Sequence, residues 1–239
     1  MRINILAALT LITFAVTADA IVADTVNDKR CATLLDAAKP KLGEEITPAA
    51  LLKRSELAFR ACSEPATALA LRAAAHHQYA SQLASHSRPA AKAAYESGIA
   101  TVQAAAGDDS PLLIPLLDSL GTLEVELDDR QRGLFLLERA LSIRRQAFGA
   151  KSGDVAWGLI LLGNYYMRTE QPAQAEMKFR EAWEISRTAG CGPECNRATP
   201  LTALADLLRQ QGRQEEADAV VAQLDAELDK DARARRAKK

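Results

Sequence analysis

Apolar residues recur at three- and four-residue intervals along most of the chain, which is the spacing of one face of an amphipathic helix. In the segment 153–168, Leu159, Leu162, Gly163 and Tyr166 fall on one face, while the polar Asn164 falls on another. Alternating apolar and polar runs rich in β-branched residues, the pattern of a half-buried strand, are absent. Alanine, a strong helix former, is abundant. The sequence therefore predicts an all-α protein.

Capping residues and glycines predict where these helices begin and end. Three pairs place an N-cap residue before a proline at the first helical position: Thr47-Pro48, Ser110-Pro111 and Thr199-Pro200. Glycines fall where helices should stop, at positions 43, 107, 149, 190 and 212. These signals predict about ten helices of roughly 11 to 22 residues, joined by short loops into antiparallel hairpins.

A repeat with a period of 42 residues runs through the second half of the chain. Small residues at matching positions let two helices approach closely, and large residues fill the space one turn away. The matching sets are Leu120, Leu162 and Leu204; Gly121, Gly163 and Ala205; Gly133, Ala175 and Ala217; Leu137, Phe179 and Val221; and Ala140, Ala182 and Leu224. A single such hairpin leaves its apolar stripe exposed, so we expect successive hairpins to stack.

These residues resemble the tetratricopeptide repeat (TPR), whose signature spacing is met by Leu162, Gly163, Tyr166, Ala175, Phe179 and Ala182. The 42-residue step is similar to that of kinesin light chains, whose repeats have extended helices and a linker like residues 147–156. The resemblance implies a right-handed superhelix, or α-solenoid, of antiparallel helix hairpins. The pattern departs from the family at Glu124, where an aromatic residue is expected, and at Leu224, which is large for its position.

The repeat register divides the chain into five segments. In the second hairpin, Ala91, Tyr95 and Gly98 fit the second helix of a repeat, whereas the region around Gln78 and Tyr79 does not fit the first. The segments are a signal peptide (1–20), an N-terminal helical hairpin acting as a cap (21–65), a degenerate TPR-like repeat (66–107), three TPR-like repeats of 42-residue period (108–229) and a basic C-terminal tail (230–239).

The resemblance also implies a concave groove that binds a protein or peptide partner. In the best-matching repeat, Trp157, Leu161, Asn164 and Arg168 follow one another at the spacing of one helix face. The flanking repeats offer Ser119, Thr122 and Glu126 on one side, and Ala203, Asp206 and Gln210 on the other. The predicted groove residues are Trp157, Leu161, Asn164, Met167, Arg168, Thr122, Glu126 and Asp206. The alternative is that Trp157 and Trp183 only pack between repeats.

The first 20 residues have the layout of a secretory signal peptide. Arg2 is followed by an apolar stretch, residues 3–16, and by the small-residue cleavage motif Ala18-Asp19-Ala20. The apolar run is about 14 residues, shorter than the roughly 20 that a helix needs to span a bilayer. We therefore expect cleavage after Ala20, a periplasmic or secreted protein and no stable membrane span after cleavage. An uncleaved anchor is the alternative.

Four cysteines in an exported chain indicate disulfides. Cys31 and Cys62 lie at similar distances from the predicted turn of the first hairpin, and Cys191 and Cys195 share one short loop. Three connectivities are open, and we expect the pairs 31–62 and 191–195. A function from another class, thiol–disulfide exchange at Cys191 and Cys195, stays open, although their spacing lacks the features that lower a thiol pKa.

Charge is distributed unevenly along the chain. Residues 21–229 carry 23 basic and 29 acidic residues, whereas the tail carries six basic residues and one acidic residue. Such a tail can dock on anionic lipid or nucleic acid, which is a third possible function. A solvated helix end explains the same composition without either ligand.

No motif for catalysis, metal binding or a cofactor is complete. The segment 149–152 lacks the upstream glycine of a phosphate-binding loop. His76 and His77 point to different helix faces, and together with His86 they are expected at the surface rather than on a metal. The sequence thus predicts a non-catalytic scaffold that needs no metal or cofactor and binds a protein or peptide, not nucleic acid.

Overall fold

The computed structural model of the protein describes residues 26–41, 44, 46–64, 67–189 and 198–237, and these residues form helices and no strands. Ten α-helices of 12 to 24 residues lie in this described part of the chain. They are α1 (Val26–Ala37), α2 (Pro48–Cys62), α3 (Leu69–Ala84), α4 (Arg88–Ala106), α5 (Ile114–Glu126), α6 (Arg130–Phe148), α7 (Gly153–Arg168), α8 (Pro172–Ala189), α9 (Ala198–Gln210) and α10 (Gln214–Ala237). The predicted all-α fold is confirmed.

Side-chain caps start the helices at or near the predicted positions. Thr47 Oγ1 accepts a hydrogen bond from Ala50 N at 3.2 Å, so α2 begins at its proline as the sequence predicts. Ser110 caps a 3₁₀ turn, Pro111–Leu113, that leads into α5. The predicted N-cap at Thr199 is wrong, because α9 already begins at Ala198 and contains that threonine.

Glycines end three of the helices as predicted. Gly107, Gly149 and Gly212 have φ angles of +83°, +85° and +73°, in the left-handed region that glycine adopts without steric cost. They follow directly on α4, on α6 and, after one further residue, on α9. The predicted stops at Gly43 and Gly190 lie outside the described residues.

The repeat positions form the contacts between paired helices. A Cβ atom at Gly163 in α7 would overlap the Phe179 ring of α8, and one at Gly121 in α5 would lie 2.9 Å from Leu137 Cγ of α6. Only glycine permits helix approaches this close. All the matching repeat positions are buried except Val221 and Leu224, which are partly exposed.

The described residues form two compact units that divide between Ile143 and Arg144, inside α6. In the first unit, α2 packs on α1, α3 on α2, α4 on α3 and α5 on α4. In the second unit, α7 packs on α8, and α9 packs on both α8 and α10. Each unit therefore contains helix hairpins packed on their neighbours in chain order.

The N-terminal hairpin is joined by a disulfide between Cys31 of α1 and Cys62 of α2, the pairing expected from the sequence. Both residues are fully buried, in a core that includes Leu35, Ala58 and Leu71 of three successive helices. A bridge that closes a loop of this length stabilises the folded chain by about 3–4 kcal/mol through loop-closure entropy. The other expected pair, Cys191 and Cys195, lies outside the described residues.

Helix α10 continues through Ala237 and so includes most of the segment assigned to the basic tail. Of the helices that the structure describes, none has both the length and the apolar character needed to cross a membrane. The signal peptide predicted at 1–20 lies outside the described residues. The predicted segment boundaries stay predictions.

Candidate partner-binding faces

Helix α7 buries one face and exposes the other. Ser152 caps it by accepting a hydrogen bond from Val155 N at 3.3 Å, which sets the start of the helix. The predicted core residues are all buried: Leu159, Leu162, Gly163 and Tyr166. Among the predicted groove residues of α7, Asn164 and Arg168 are exposed and three apolar side chains are half-buried: Trp157, Leu161 and Met167.

This combination leaves apolar surface beside hydrogen-bonding and charged groups on one helix. Trp183 of α8, by contrast, is only 5% exposed and belongs to the core. The alternative that tryptophan only packs between repeats therefore describes Trp183, whereas Trp157 retains accessible surface. Its role in binding stays a prediction.

Helix α9 presents Asp206 on an exposed face of the same unit. The carboxylate Oδ1 accepts a hydrogen bond from Arg209 Nη1 at 3.1 Å, and both side chains are about half exposed. Leu201, Leu204 and Leu208 hold the other face of α9 in the core. Asp206 therefore contributes charge to the surface, where its ion pair with Arg209 stabilises the fold little.

Helix α5 of the first unit exposes Thr122 and Glu126, the two predicted site residues on that helix. Thr122 Oγ1 donates a hydrogen bond to the Asp118 carbonyl oxygen at 2.9 Å. Glu126 Oε2 lies 3.4 Å from Arg88 Nε of α4. The predicted site residues of both units thus lie on exposed or half-exposed faces of α5, α7 and α9, and their role in binding stays a prediction.

The sequence model of the tetratricopeptide repeat matches residues 154–223, which cover α7, α8, α9 and the start of α10. The match covers 70 of the 239 residues of the chain. Comparison with curated proteins finds no match.

Solved structures share the TPR-like fold of the chain. BtubC (BKLC) from P. vanneervenii aligns with a TM-score of 0.62 at 15% identity, over 85% of this chain and 91% of that chain. A single-substitution form of a Podosopora anserina kinesin light chain, with nearly identical TPR-like repeats, aligns with a TM-score of 0.63 at 14% identity, over 97% and 100%. A second structure of these repeats gives 0.60 at 14% identity, over 84% and 92%. At such identities the likeness shows the fold alone.

The structure explains why the TPR pattern departs at Glu124. In the 42-residue register Glu124 occupies the position of Tyr166, and its side chain is fully buried. Lys92 Nζ of α4 and Arg132 Nε of α6 each lie 2.9 Å from its Oε1 atom. Two cations therefore compensate a carboxylate where the family expects an aromatic ring, a pairing between elements that the sequence analysis did not find.

The sequence analysis also did not predict a polar contact between α3 and α5 of the first unit. His77 Nε2 of α3 lies 2.9 Å from Ser119 Oγ of α5, and the two residues are 42 positions apart. They occupy the same repeat position as Leu161, although the register alone does not show that the two side chains meet. Burial raises the pKa of the nearby Tyr95 in α4, and its interactions with Ser119 and Ser81 oppose this shift.

The expectation that all three histidines lie at the surface is wrong for His76, which is only 7% exposed. Its ring contacts Phe59 edge-on with centroids 4.8 Å apart, and a Cβ atom at Gly98 would lie 2.7 Å from His76 Cβ. Burial lowers the pKa of His76, a backbone hydrogen bond with Ala94 opposes this shift, and the charge of Arg72 adds a smaller lowering. Of the other two, His77 is half-buried and His86 is exposed as expected.

An ion pair also joins successive helix hairpins of the second unit. Arg213 Nη1, on the residue immediately before α10, lies 2.6 Å from Glu176 Oε2 of α8. Within α8, Arg180 Nη2 lies 2.7 Å from the other carboxylate oxygen of Glu176. The hydrogen bond from Arg213, with a smaller contribution from Arg180, lowers the pKa of Glu176 below its ordinary value. No group of three or more histidine, cysteine or acidic side chains in the described part of the chain is arranged to hold a metal ion.

Proposed function

We propose that the protein is an exported, non-catalytic TPR-like scaffold that binds a protein or peptide partner through the exposed faces of its repeats. The observation that carries the proposal is the face of α7, where Trp157, Leu161 and Asn164 stay accessible while the opposite face is fully packed. The tetratricopeptide match over 154–223 supports it, because such repeats generally serve as protein-interaction scaffolds.

The chemistry of this face suits a polypeptide better than a small molecule or a metal. Tryptophan and arginine are enriched among residues that dominate binding energy, and Trp157 and Arg168 lie on one helix face. Asn164 can donate and accept hydrogen bonds, which suits a peptide backbone or polar side chain. Binding of this kind is non-covalent and needs no cofactor.

Export is supported by the signal-peptide layout of residues 1–20 and by the disulfide between Cys31 and Cys62. Disulfides persist in oxidising compartments outside the cytoplasm and are rare in reducing ones. The periplasm or the extracellular space is therefore the proposed location.

Capture of partners from native extract tests the proposal, using the mature chain and the double variant Trp157→Ala, Arg168→Glu. A matched control is Met177→Ala, Arg187→Glu, which makes the same kinds of change at exposed positions of α8. We expect a protein retained by the wild type and the control but lost by the α7 variant, with equal helical circular dichroism in all three. Equal capture by the α7 variant would reject this face as the binding site.

Deletion of residues 230–239 separates this function from docking through the basic tail. A groove-binding scaffold retains its partner after the deletion, because the exposed face of α7 is unchanged. Loss of capture on deletion, with α7 intact, would favour docking through the tail instead.

A further inference from the structure

A first network of four charged residues joins three helices of the first unit. Lys92 Nζ of α4 and Arg132 Nε of α6 each lie 2.9 Å from Glu124 Oε1 of α5. Arg132 Nη2 also donates a hydrogen bond to Glu96 Oε1 of α4 at 2.5 Å. Glu124 is fully buried, whereas the other three side chains are partly exposed. This network ties the hairpin of α5 and α6 to the helix that precedes it.

A second network of four charged residues joins three helices of the second unit. Arg213, in the turn between α9 and α10, donates a hydrogen bond from Nη1 to Glu176 Oε2 of α8 at 2.6 Å. Its Nε and Nη2 atoms donate to the two carboxylate oxygens of Glu216 in α10, each at 2.6 Å. Arg180 of α8 donates to Glu176 Oε1 at 2.7 Å. This network ties the hairpin of α9 and α10 to α8.

The two networks carry opposite charges at equivalent repeat positions. The equivalent pairs, each two repeats of 42 residues apart, are Lys92 and Glu176, Glu96 and Arg180, and Arg132 and Glu216. The sign of the charge is reversed in every pair. The central residues lie at different repeat positions, but they too are opposite, since Glu124 is an anion and Arg213 is a cation.

Apolar packing does not distinguish one hairpin from another. Each hairpin begins with a helix that carries a buried leucine followed by a small residue, at positions 120–121, 162–163 and 204–205. Gly121 against Leu137 and Gly163 against Phe179 make the same kind of close approach. Hairpins with similar apolar surfaces can stack on the wrong neighbour or exchange between two copies, which is a characteristic folding error of repeat proteins.

Wrong stacking of the hairpin of α5 and α6 on α8 of a second copy would bring like charges together. The buried carboxylate of Glu124 would meet Glu176 in place of Lys92. A buried charge that faces a like charge is strongly unfavourable. Arg132 would likewise meet Arg180, which is also a cation.

Wrong stacking of the hairpin of α9 and α10 on α4 of a second copy is disfavoured in the same way. Arg213 would meet Lys92, and Glu216 would meet Glu96. Unfavourable charge contacts in the wrong complex are a general source of specificity between similar surfaces.

We propose that the two networks form a charge code that decides which hairpin stacks on which helix and prevents hairpins from exchanging between two copies of the chain. This property goes beyond the proposed partner binding and does not depend on it. It concerns specificity rather than stability, because uncharged residues that replace a whole buried ion network often leave stability unchanged or raise it.

The chain supplies its own uncharged replacement for the first network, one repeat later. The variant that copies these positions is Lys92→Leu, Glu124→Tyr, Arg132→Gln, after Leu134, Tyr166 and Gln174. The matched control is Asp108→Asn, Arg139→Gln, which removes an ion pair between α6 and the turn before α5 that belongs to neither network.

Refolding from urea at about 1 µM and about 100 µM, followed by sedimentation velocity, tests the code, because exchange between copies needs the higher concentration. At the lower concentration the wild type, the variant and the control should each regain the helical circular dichroism of a sample that was never unfolded. At the higher concentration the wild type and the control should also match their never-unfolded samples in mass.

The variant should instead form species larger than those of its never-unfolded sample. We expect these species to be at least about tenfold more abundant than in the refolded wild type, since like charges in contact disfavour a pairing by more than this factor. Equal abundance in the variant and the wild type would overturn the proposal. Larger species in the refolded wild type, as abundant as in the variant, would overturn it as well.

A second variant covers the case in which the first does not refold at the lower concentration. It replaces the second network by the residues one repeat earlier, which are Leu134, Gln171 and Gln174, and is Glu176→Leu, Arg213→Gln, Glu216→Gln. The three replaced side chains are all partly exposed, so the change leaves no cavity in the core. The code requires the same rise in larger species, and a mass distribution equal to that of the refolded wild type would overturn it.

Discussion

Lys92 Nζ lies 2.9 Å from each carboxylate oxygen of Glu124 and donates a hydrogen bond to Oε2, although the two residues are 32 positions apart. The carboxylate is fully buried, whereas the lysine side chain keeps about a third of its surface exposed. The pair therefore joins α4 to the core of α5 through a charge that could not be buried alone.

Neutralising this carboxylate should destabilise the first unit. We expect Glu124→Gln to lower the free energy of unfolding by about 1–3 kcal/mol. The neutral amide would no longer balance the positive charges of Lys92 and Arg132 as the carboxylate does. The cations can still reach water, which keeps the loss below that of a fully buried charge. Urea unfolding followed by circular dichroism measures it.

The control for that variant is Glu126→Gln, which removes a carboxylate at the exposed end of the same helix. Its effect should stay within about 0.5 kcal/mol, as expected for a surface ion pair. Equal effects of the two variants would contradict the importance of the buried pair.

Gly163→Ala should destabilise the second unit by about 1–3 kcal/mol, because the added methyl group overlaps the Phe179 ring and forces α7 and α8 apart. The gain in helix propensity from alanine, about 1 kcal/mol, offsets only part of this loss. Thermal unfolding monitored by circular dichroism measures the change. The double variant Gly163→Ala, Phe179→Leu should recover part of the loss, and no recovery would argue that the clash is not the cause.

Replacing both Cys31 and Cys62 by alanine should lower the free energy of unfolding by about 2–4 kcal/mol. The loss should concentrate in α1 and α2, which the bridge joins within a common core. Hydrogen exchange resolved by helix measures where protection is lost. In the wild type, a reductant that does not unfold the protein should leave the bridge intact, since both residues are fully buried.

Acid should weaken the contact between α8 and α10. The pKa of Glu176 lies below its ordinary value because Arg213 and, to a smaller extent, Arg180 hydrogen-bond with it. A carboxylate of this kind stabilises the fold above its ordinary pKa, and the stabilisation is lost as pH falls through the folded-state pKa. The unfolding midpoint of the wild type should therefore fall more steeply from about pH 5.5 to about pH 3.5 than that of Arg213→Gln.

Arg209→Gln is the control for the acid dependence, because Arg209 pairs with the exposed Asp206 instead. It should retain the wild-type pH dependence. If Arg213→Gln also retained it, the pair between Glu176 and Arg213 would not be the source of the acid sensitivity.

Export predicts that the protein recovered from a secreting bacterial host lacks residues 1–20 and begins at Ile21. Intact-mass measurement of the periplasmic fraction checks this directly. A full-length chain that begins at Met1 and stays with the membrane fraction would support the uncleaved anchor instead.

Several features of the fold were predictable because their causes are local. The Thr47 cap and the glycine stops depend on backbone geometry within a few residues, so the sequence alone places them. The 42-residue period predicted which small residues face large ones, as Gly163 and Phe179 do. Positions of Cys31 and Cys62 on the two arms of one hairpin were enough to expect their pairing.

The candidate site was only partly predictable. Periodicity along α7 separated the packed face from the face of Trp157 and Asn164, because a helix has a fixed number of residues per turn. The burial of His76 was not predictable in this way, since it depends on the approach of Phe59 and Gly98 from other helices.

The amino-acid sequence by itself thus determined the helices, their limits, the repeat and the faces that pack, because helix periodicity and capping act over a few residues. Tertiary structure alone decided which distant side chains meet. Glu124 is tolerated in an aromatic position because packing brings Lys92 and Arg132 to it, and His77 meets Ser119 because α3 and α5 lie side by side. Such contacts depend on the lateral packing of whole helices, which no local pattern encodes.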